Sequence, residues 1–103
     1  MMNEWIREEL SSFLEKNETG LVYFYTPLCG TCQVASRMLL VVENIVKIEM
    51  GKMNLNYYPD VAKRFAIESV PCLLFVKQGT VVDTIYAFHS VPHLLTMIDE
   101  NLK

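Results

Sequence analysis

The side chains in this sequence best suited to chemistry are two cysteines separated by two residues, Cys29-Gly30-Thr31-Cys32. Where such a pair opens a helix, the sulfurs are close enough to join across one turn, and the first faces the unbonded N–H groups of that helix end. Those amides and the helix dipole favour thiolate over thiol. Cys29 is therefore the expected nucleophile toward a disulfide, and Cys32, one turn further in and better buried, is expected to resolve the mixed disulfide that results. Gly30 permits a tight turn and Thr31 can begin the helix. A CxxC pair is also compatible with zinc, or with two small apolar residues that happen to be neighbours. A structural zinc site wants four ligands, and beyond the pair there are only Cys72, His89 and His93, scattered through the C-terminal third.

The elements around the pair decide between these uses. Leu21-Val22-Tyr23-Phe24-Tyr25 is an unbroken apolar and aromatic run, as expected of a central strand buried on both faces, and it ends at Thr26-Pro27. From Thr31 to about Glu43, Val34, Ala35, Met38, Leu39, Val41 and Val42 form an apolar helix. The pair thus sits where a buried strand turns into a helix. Upstream, Ile6, Leu10, Phe13 and Leu14 recur at helical spacing between Asn3, a candidate N-cap, and Lys16. Downstream, residues 45–55 predict a second strand, and Tyr58-Pro59 opens a helix carrying Val61, Ala62, Phe65 and Ala66. Cys72–Val76 and Val81–Ala87 predict an antiparallel hairpin turned at Lys77-Gln78-Gly79-Thr80. A final helix starts at Ser90, with Val91, Leu94, Leu95, Ile98 and Leu102 on one face and Pro92 in its first turn. The order α-β-α-β-α-β-β-α suits one α/β domain over residues 1–103, a mixed sheet with helices on both faces.

Composition narrows the function. At 103 residues and 51% hydrophobic, the chain supports one compact core. Its 12 acidic and 9 basic residues, net charge −3 and without blocks, give no basic groove for nucleic acid and no patch for an anionic membrane. The start lacks a charged leader followed by an apolar stretch, and no apolar run reaches the length of a membrane span, so a cytoplasmic protein is expected. Three cysteines, an odd number, do not describe a structural disulfide framework in that compartment.

Three segments carry a resemblance to the thioredoxins: Tyr23-Phe24-Tyr25-Thr26-Pro27-Leu28-Cys29-Gly30-Thr31-Cys32, Lys52-Met53-Asn54-Leu55-Asn56, and Ser69-Val70-Pro71-Cys72-Leu73-Leu74-Phe75-Val76-Lys77-Gln78-Gly79. The resemblance implies a thioredoxin-like fold, here with a four-stranded core, because the first helix leads directly into the central strand and the family's extra N-terminal strand is not evident. It implies that Pro71 is cis and walls a substrate groove with Leu28, and that the backbone of Val70 pairs with an extended peptide. It also implies a thiol-disulfide oxidoreductase, a monomer without bound cofactor, acting on disulfide-containing proteins or small thiol adducts and fed by a thioredoxin-reductase-like electron donor.

Several positions depart from the family pattern. Leu28 replaces a tryptophan, removing a flat contact surface. Thr31 replaces a proline, which places a hydroxyl beside the dithiol and is expected to stabilise the thiolate and make the protein less reducing. Tyr23 stands in place of a buried aspartate, although Lys52 matches that aspartate's companion lysine; water, Lys52 or the tyrosine hydroxyl is left to move the proton of Cys32. Ala87 replaces a glycine at the far side of the groove. Cys72 follows Pro71 directly, which the fold would bring near the pair, as a buried filler, a third redox thiol or, with Cys29 and Cys32, a ligand for zinc or an iron-sulfur cluster. A metal or iron-sulfur carrier and a non-catalytic adaptor are the competing functions. Met38, Met50, Met53 and Trp5 are expected to pack, and His93 to lie on the surface.

Overall fold

The computed structural model describes residues 2–103. In chain order the elements are β1 (Asn3–Glu4), α1 (Arg7–Glu15), β2 (Gly20–Tyr25), α2 (Gly30–Ile45), β3 (Glu49–Asn54), a single 3₁₀ turn (Leu55–Tyr57), α3 (Pro59–Arg64), β4 (Cys72–Lys77), β5 (Thr80–Ile85) and α4 (Val91–Leu102). The strands form one sheet in the order β1-β3-β2-β4-β5. β1 and β2 both run parallel to β3, whereas β4 is antiparallel to β2 and to β5.

Alternation along the strands divides the interior in two. Leu21, Tyr23, Leu73 and Phe75 face α2 and α4, where Ala35, Leu39 and Val42 meet Leu94, Ile98 and Leu102. Val22, Phe24, Cys72, Leu74 and Val76 face the other way, onto Leu10 and Phe13 of α1 and Val61 of α3. β2 and β4 are buried on both sides and so are apolar at consecutive positions, which is why no alternation is visible in them. The β4–β5 turn places Gln78 at φ 50° and Gly79 at φ 80°, the left-handed pair that a two-residue hairpin requires. Ser90 caps α4 by accepting from the His93 amide at 3.2 Å.

The N-terminus corrects the sequence-based expectation. Asn3 is not a helix cap: with Glu4 it forms β1, pairing with Gly51 and Lys52, so the sheet has five strands rather than four. Two polar residues carry no period that would mark a strand; the signal lies in their flanks. Met2 is buried against the α2/α4 side and Trp5 against the α1/α3 side. Trp5 precedes α1 rather than belonging to it, and its amide donates to the Lys52 carbonyl at 2.8 Å. Ile6 is the N-cap, its own amide held by the Glu9 carboxylate at 3.0 Å, and it is exposed rather than part of the apolar face. β3 starts at Glu49 rather than residue 45, because α2 continues through Ile45.

Candidate active site

β2 ends in the centre of the sheet and the chain turns over Thr26-Pro27-Leu28 into α2, with Cys29 as the N-cap. Cys29 and Cys32 are joined as a disulfide, their Cα atoms 5.1 Å apart. The Cys29 sulfur accepts the Cys32 amide at 3.1 Å and lies 3.3 Å from the Thr31 hydroxyl. It therefore occupies the place of a capping oxygen at a sixteen-residue helix, where an extra electron pair is stabilised. Cys29 is half-buried; Cys32 is 2% exposed. A Cβ on Gly30 would meet nothing within 4 Å, so this glycine leaves open space above the pair and is not demanded by neighbouring atoms.

Tyr23 lies directly beneath. Its ring is fully buried between Tyr25 and Phe88, and its hydroxyl donates to the Cys32 carbonyl at 2.9 Å. A phenol has one proton, so the 3.0 Å contact with Ser36 Oγ is a bond in which Ser36 donates. Burial raises the Tyr23 pKa above its ordinary value, with the Ser36 bond acting weakly the other way. Ser36 is a site residue that sequence reasoning misses; a serine one turn after Cys32 is the signal that marks it. Lys52 sits further along the edge, its ammonium 5.5 Å from the centre of the Tyr25 ring, while the Tyr25 hydroxyl donates to Glu4 at 2.7 Å.

Beside the pair is a groove of about 430 Å³. Thr31, Val34 and Met38 of α2 form one wall, Val70 and Pro71 another, and residues 86–89 the third. The Val70–Pro71 bond is cis. Ala87, Phe88 and His89 belong to this wall, and among them the sequence points only to Ala87. Leu28 does not line the groove and is fully exposed on the approach to Cys29. His93 is exposed, in edge contact with His89.

Cys72 is placed differently from the expectation that the fold would bring it to the pair. As the first residue of β4 it points into the α1/α3 side of the sheet, whereas α2 covers the other side. The three thiols do not converge: among the described residues no group of three or more His, Cys, Asp or Glu is arranged to hold a metal. Burial pushes the Cys72 thiol up to about 12, with the Tyr86 hydroxyl acting in the opposite direction. In the unfolded chain a thiol ionises near about 8.5. Between these values the unfolded chain releases a proton that the folded chain keeps, so the contribution of Cys72 to stability is complete below the lower value and declines as pH rises. With the disulfide intact, alkylation at mildly alkaline pH should add no mass until denaturant is present, as read by mass spectrometry. Rapid native labelling of Cys72 would contradict the buried placement.

No helix among the described residues is long and apolar enough to cross a membrane. Comparison with known proteins agrees with the geometry. The sequence model of the thioredoxin family matches residues 2–100. The thioredoxin-like protein YusE of Bacillus subtilis (strain 168) is 46% identical over 86 residues, covering 82% of this chain and 81% of YusE. Thioredoxin 1 of Synechococcus elongatus is 31% identical over 94 residues, covering 86% and 85% of the two chains. Among solved structures, a mutant thioredoxin from Halobacterium salinarum NRC-1 superposes with a TM-score of 0.87 over 99% of this chain and 90% of its own, at 19% identity, which speaks for the fold alone. With a CxxC pair closed as a disulfide at the head of α2, a cis proline beside it and a family match spanning nearly the whole chain, this protein belongs to the thioredoxin family.

Proposed function

We propose that the protein is a thiol-disulfide oxidoreductase in which Cys29 is the nucleophile and Cys32 the resolving thiol. The observation that carries this reading is the Cys29 sulfur in the N-cap position, facing the Cys32 amide at 3.1 Å and the Thr31 hydroxyl at 3.3 Å. A thiolate there is stabilised by hydrogen bonds and the helix dipole rather than by a neighbouring cation. The Cys29 thiolate attacks one sulfur of a substrate disulfide, forming a mixed disulfide and releasing the other sulfur as a thiolate. Attack by Cys32 on the Cys29 sulfur then closes the protein disulfide and releases the second substrate thiolate. Two electrons pass to the substrate, and a reductase-type donor restores the dithiol. Leu28 and the groove walls at Val70 and Pro71 receive the substrate, an extended segment of a protein or a small thiol adduct. We place this activity in the cytoplasm, in a monomer of one domain that needs no bound cofactor.

A redox titration of the pair, with metal content measured on the same sample, tests the proposal. A reversible two-electron couple in metal-free protein is expected, less reducing than the roughly −270 mV of thioredoxin. A protein that shows no such couple, or whose thiols are released only by a chelator, would defeat it. Thr31 contributes to that poise through its bond to Cys29. Thr31→Val should raise the Cys29 thiol pKa by about one unit, equivalent to roughly 1.4 kcal/mol, as followed by ultraviolet thiolate absorbance. An unchanged pKa would leave the helix end alone responsible.

A further inference from the structure

Single apolar side chains on a surface are ordinary, whereas an aligned row of them marks a contact. Among the large apolar side chains that are exposed, Val34, Val41 and Ile45 all belong to α2, at 48%, 47% and 56% exposure, and the half-buried Met38 stands between the first two. The positions 34, 38, 41 and 45 keep to one line along a helix, roughly 16 Å from end to end at 1.5 Å per residue. This line is separate from the face that holds α2 to the sheet, which is Cys32, Ala35, Leu39 and Val42. Val34 and Met38 are also the α2 wall of the groove beside the dithiol, so the row begins at the candidate active site and leads away from it. On its solvent flank stand Gln33, Arg37 and Asn44, all exposed, with the Asn44 amide given to the Leu40 carbonyl at 2.9 Å. The one acidic residue of α2, Glu43, falls on a different side of the helix.

Three properties select the occupant. Ile45 is about 24 Å along the helix from Cys29, beyond the span of a small thiol adduct held at that sulfur. A row of four aliphatic side chains is far smaller than the roughly 20–30 residues a side of a stable interface, which suits a contact made and broken in each turnover rather than a permanent dimer. A second copy would bring the same row with Arg37 on its flank and no carboxylate to meet the first Arg37, so charge complementarity calls for a different chain.

We infer that this row docks the protein substrate, through an amphipathic helix whose apolar side chains lie along Val34, Met38, Val41 and Ile45 and whose flank offers a carboxylate to Arg37. This rests on the proposed oxidoreductase reading and narrows it: the preferred substrates are proteins that carry such a helix next to the reactive disulfide, in place of small thiol adducts.

The test uses the pre-reduced full-length protein in single turnover with two synthetic helical peptides of about 14 residues, long enough to span the row. Each carries a terminal cysteine joined to nitrothiobenzoate. One peptide has leucines at the 4-3-4 spacing with a glutamate on their flank; in the other the leucines are glutamines. Attack by the Cys29 thiolate on the peptide sulfur forms the Cys29–peptide disulfide and releases coloured nitrothiobenzoate, and closure by Cys32 then frees the peptide thiol. We expect the leucine peptide to react about tenfold faster than its glutamine control. The double variant Val41→Gln with Ile45→Gln, at two exposed positions, should bring the two peptides within about twofold of each other and leave the rate with free dithiobisnitrobenzoate unchanged. Arg37→Glu should slow the leucine peptide, and lysine in place of the peptide's glutamate should restore it. Equal rates for the two peptides on the parent protein, or a preference that survives the double variant or Arg37→Glu, would overturn the inference and leave the oxidoreductase standing. A concentration-dependent dimer in sedimentation that the double variant abolishes would overturn it too, by giving the row to a second copy. No release of nitrothiobenzoate from free dithiobisnitrobenzoate would instead remove the oxidoreductase reading itself. The peptide comparison on the parent protein needs no variant to fold.

Discussion

Cys29→Ser is expected to abolish disulfide reduction, with turnover of a protein disulfide falling by at least about 10³-fold and no covalent adduct detectable. A hydroxyl at this position keeps the cap geometry at the head of α2, because serine is itself a preferred N-cap, so the fold and thermal stability should be nearly unchanged. The loss would then report chemistry alone. Cys32→Ser is the contrasting variant. It leaves the Cys29 sulfur exposed to substrate, so adduct forms at close to the normal rate, but closure is impossible and the mixed disulfide persists until a small thiol is added. Mass spectrometry distinguishes the two outcomes directly. The assignment of roles fails if Cys29→Ser still forms an adduct through Cys32, or if Cys32→Ser forms none.

The second large effect is structural and lies at the opposite edge of the sheet. Gly51 of β3 pairs with Asn3 on one side and Val22 on the other, and a Cβ there would run into the ring carbons of the Trp5 indole. Trp5 is 5% exposed, packs on Phe13 with ring centres 5.0 Å apart and anchors β1 through its amide bond to Lys52. Gly51→Val must expel the indole or push β1 off the sheet. Overpacking of this kind costs about 3 kcal/mol, which for a domain of this size lowers Tm by on the order of 15 °C. The double variant Gly51→Val with Trp5→Ala should recover part of the added methyl groups' penalty, since the clash is between those two positions. A Tm within a few degrees of the parent for Gly51→Val alone would show that Trp5 has another place to go. The redox couple should survive in the fraction that folds, because neither residue touches the dithiol or its groove.

Gly51 also explains why the N-terminal strand is not legible in the sequence. The strand itself is two polar residues, and what holds them is a glycine some fifty positions later that makes room for Trp5. By contrast, helices with a sustained apolar face and strands buried on both sides are legible because each is specified by its own residues: Leu94, Ile98 and Leu102 mark α4, and the run from Leu21 to Tyr25 marks β2. Cys72 illustrates the difference between position and direction. Its adjacency to Pro71 suggests a place at the dithiol, but strand alternation turns Cys72 to one side of the sheet and Leu73 to the other, and only the second side carries α2.

The chemistry on offer and its location can be read from the chain before it folds: two thiols one helical turn apart, after a buried strand and at the start of an apolar helix, with no charge pattern for nucleic acid. These follow from local spacing, which the chain carries wherever it folds. What surrounds those thiols is a matter of assembly. Folding brought the Tyr23 hydroxyl onto the Cys32 carbonyl with Ser36 bonded to it, carried Phe88 and His89 to the groove, and turned Cys72 away. Each of these depends on which elements pack face to face and on which side of a strand a residue falls, and those are properties of the assembled sheet and helices.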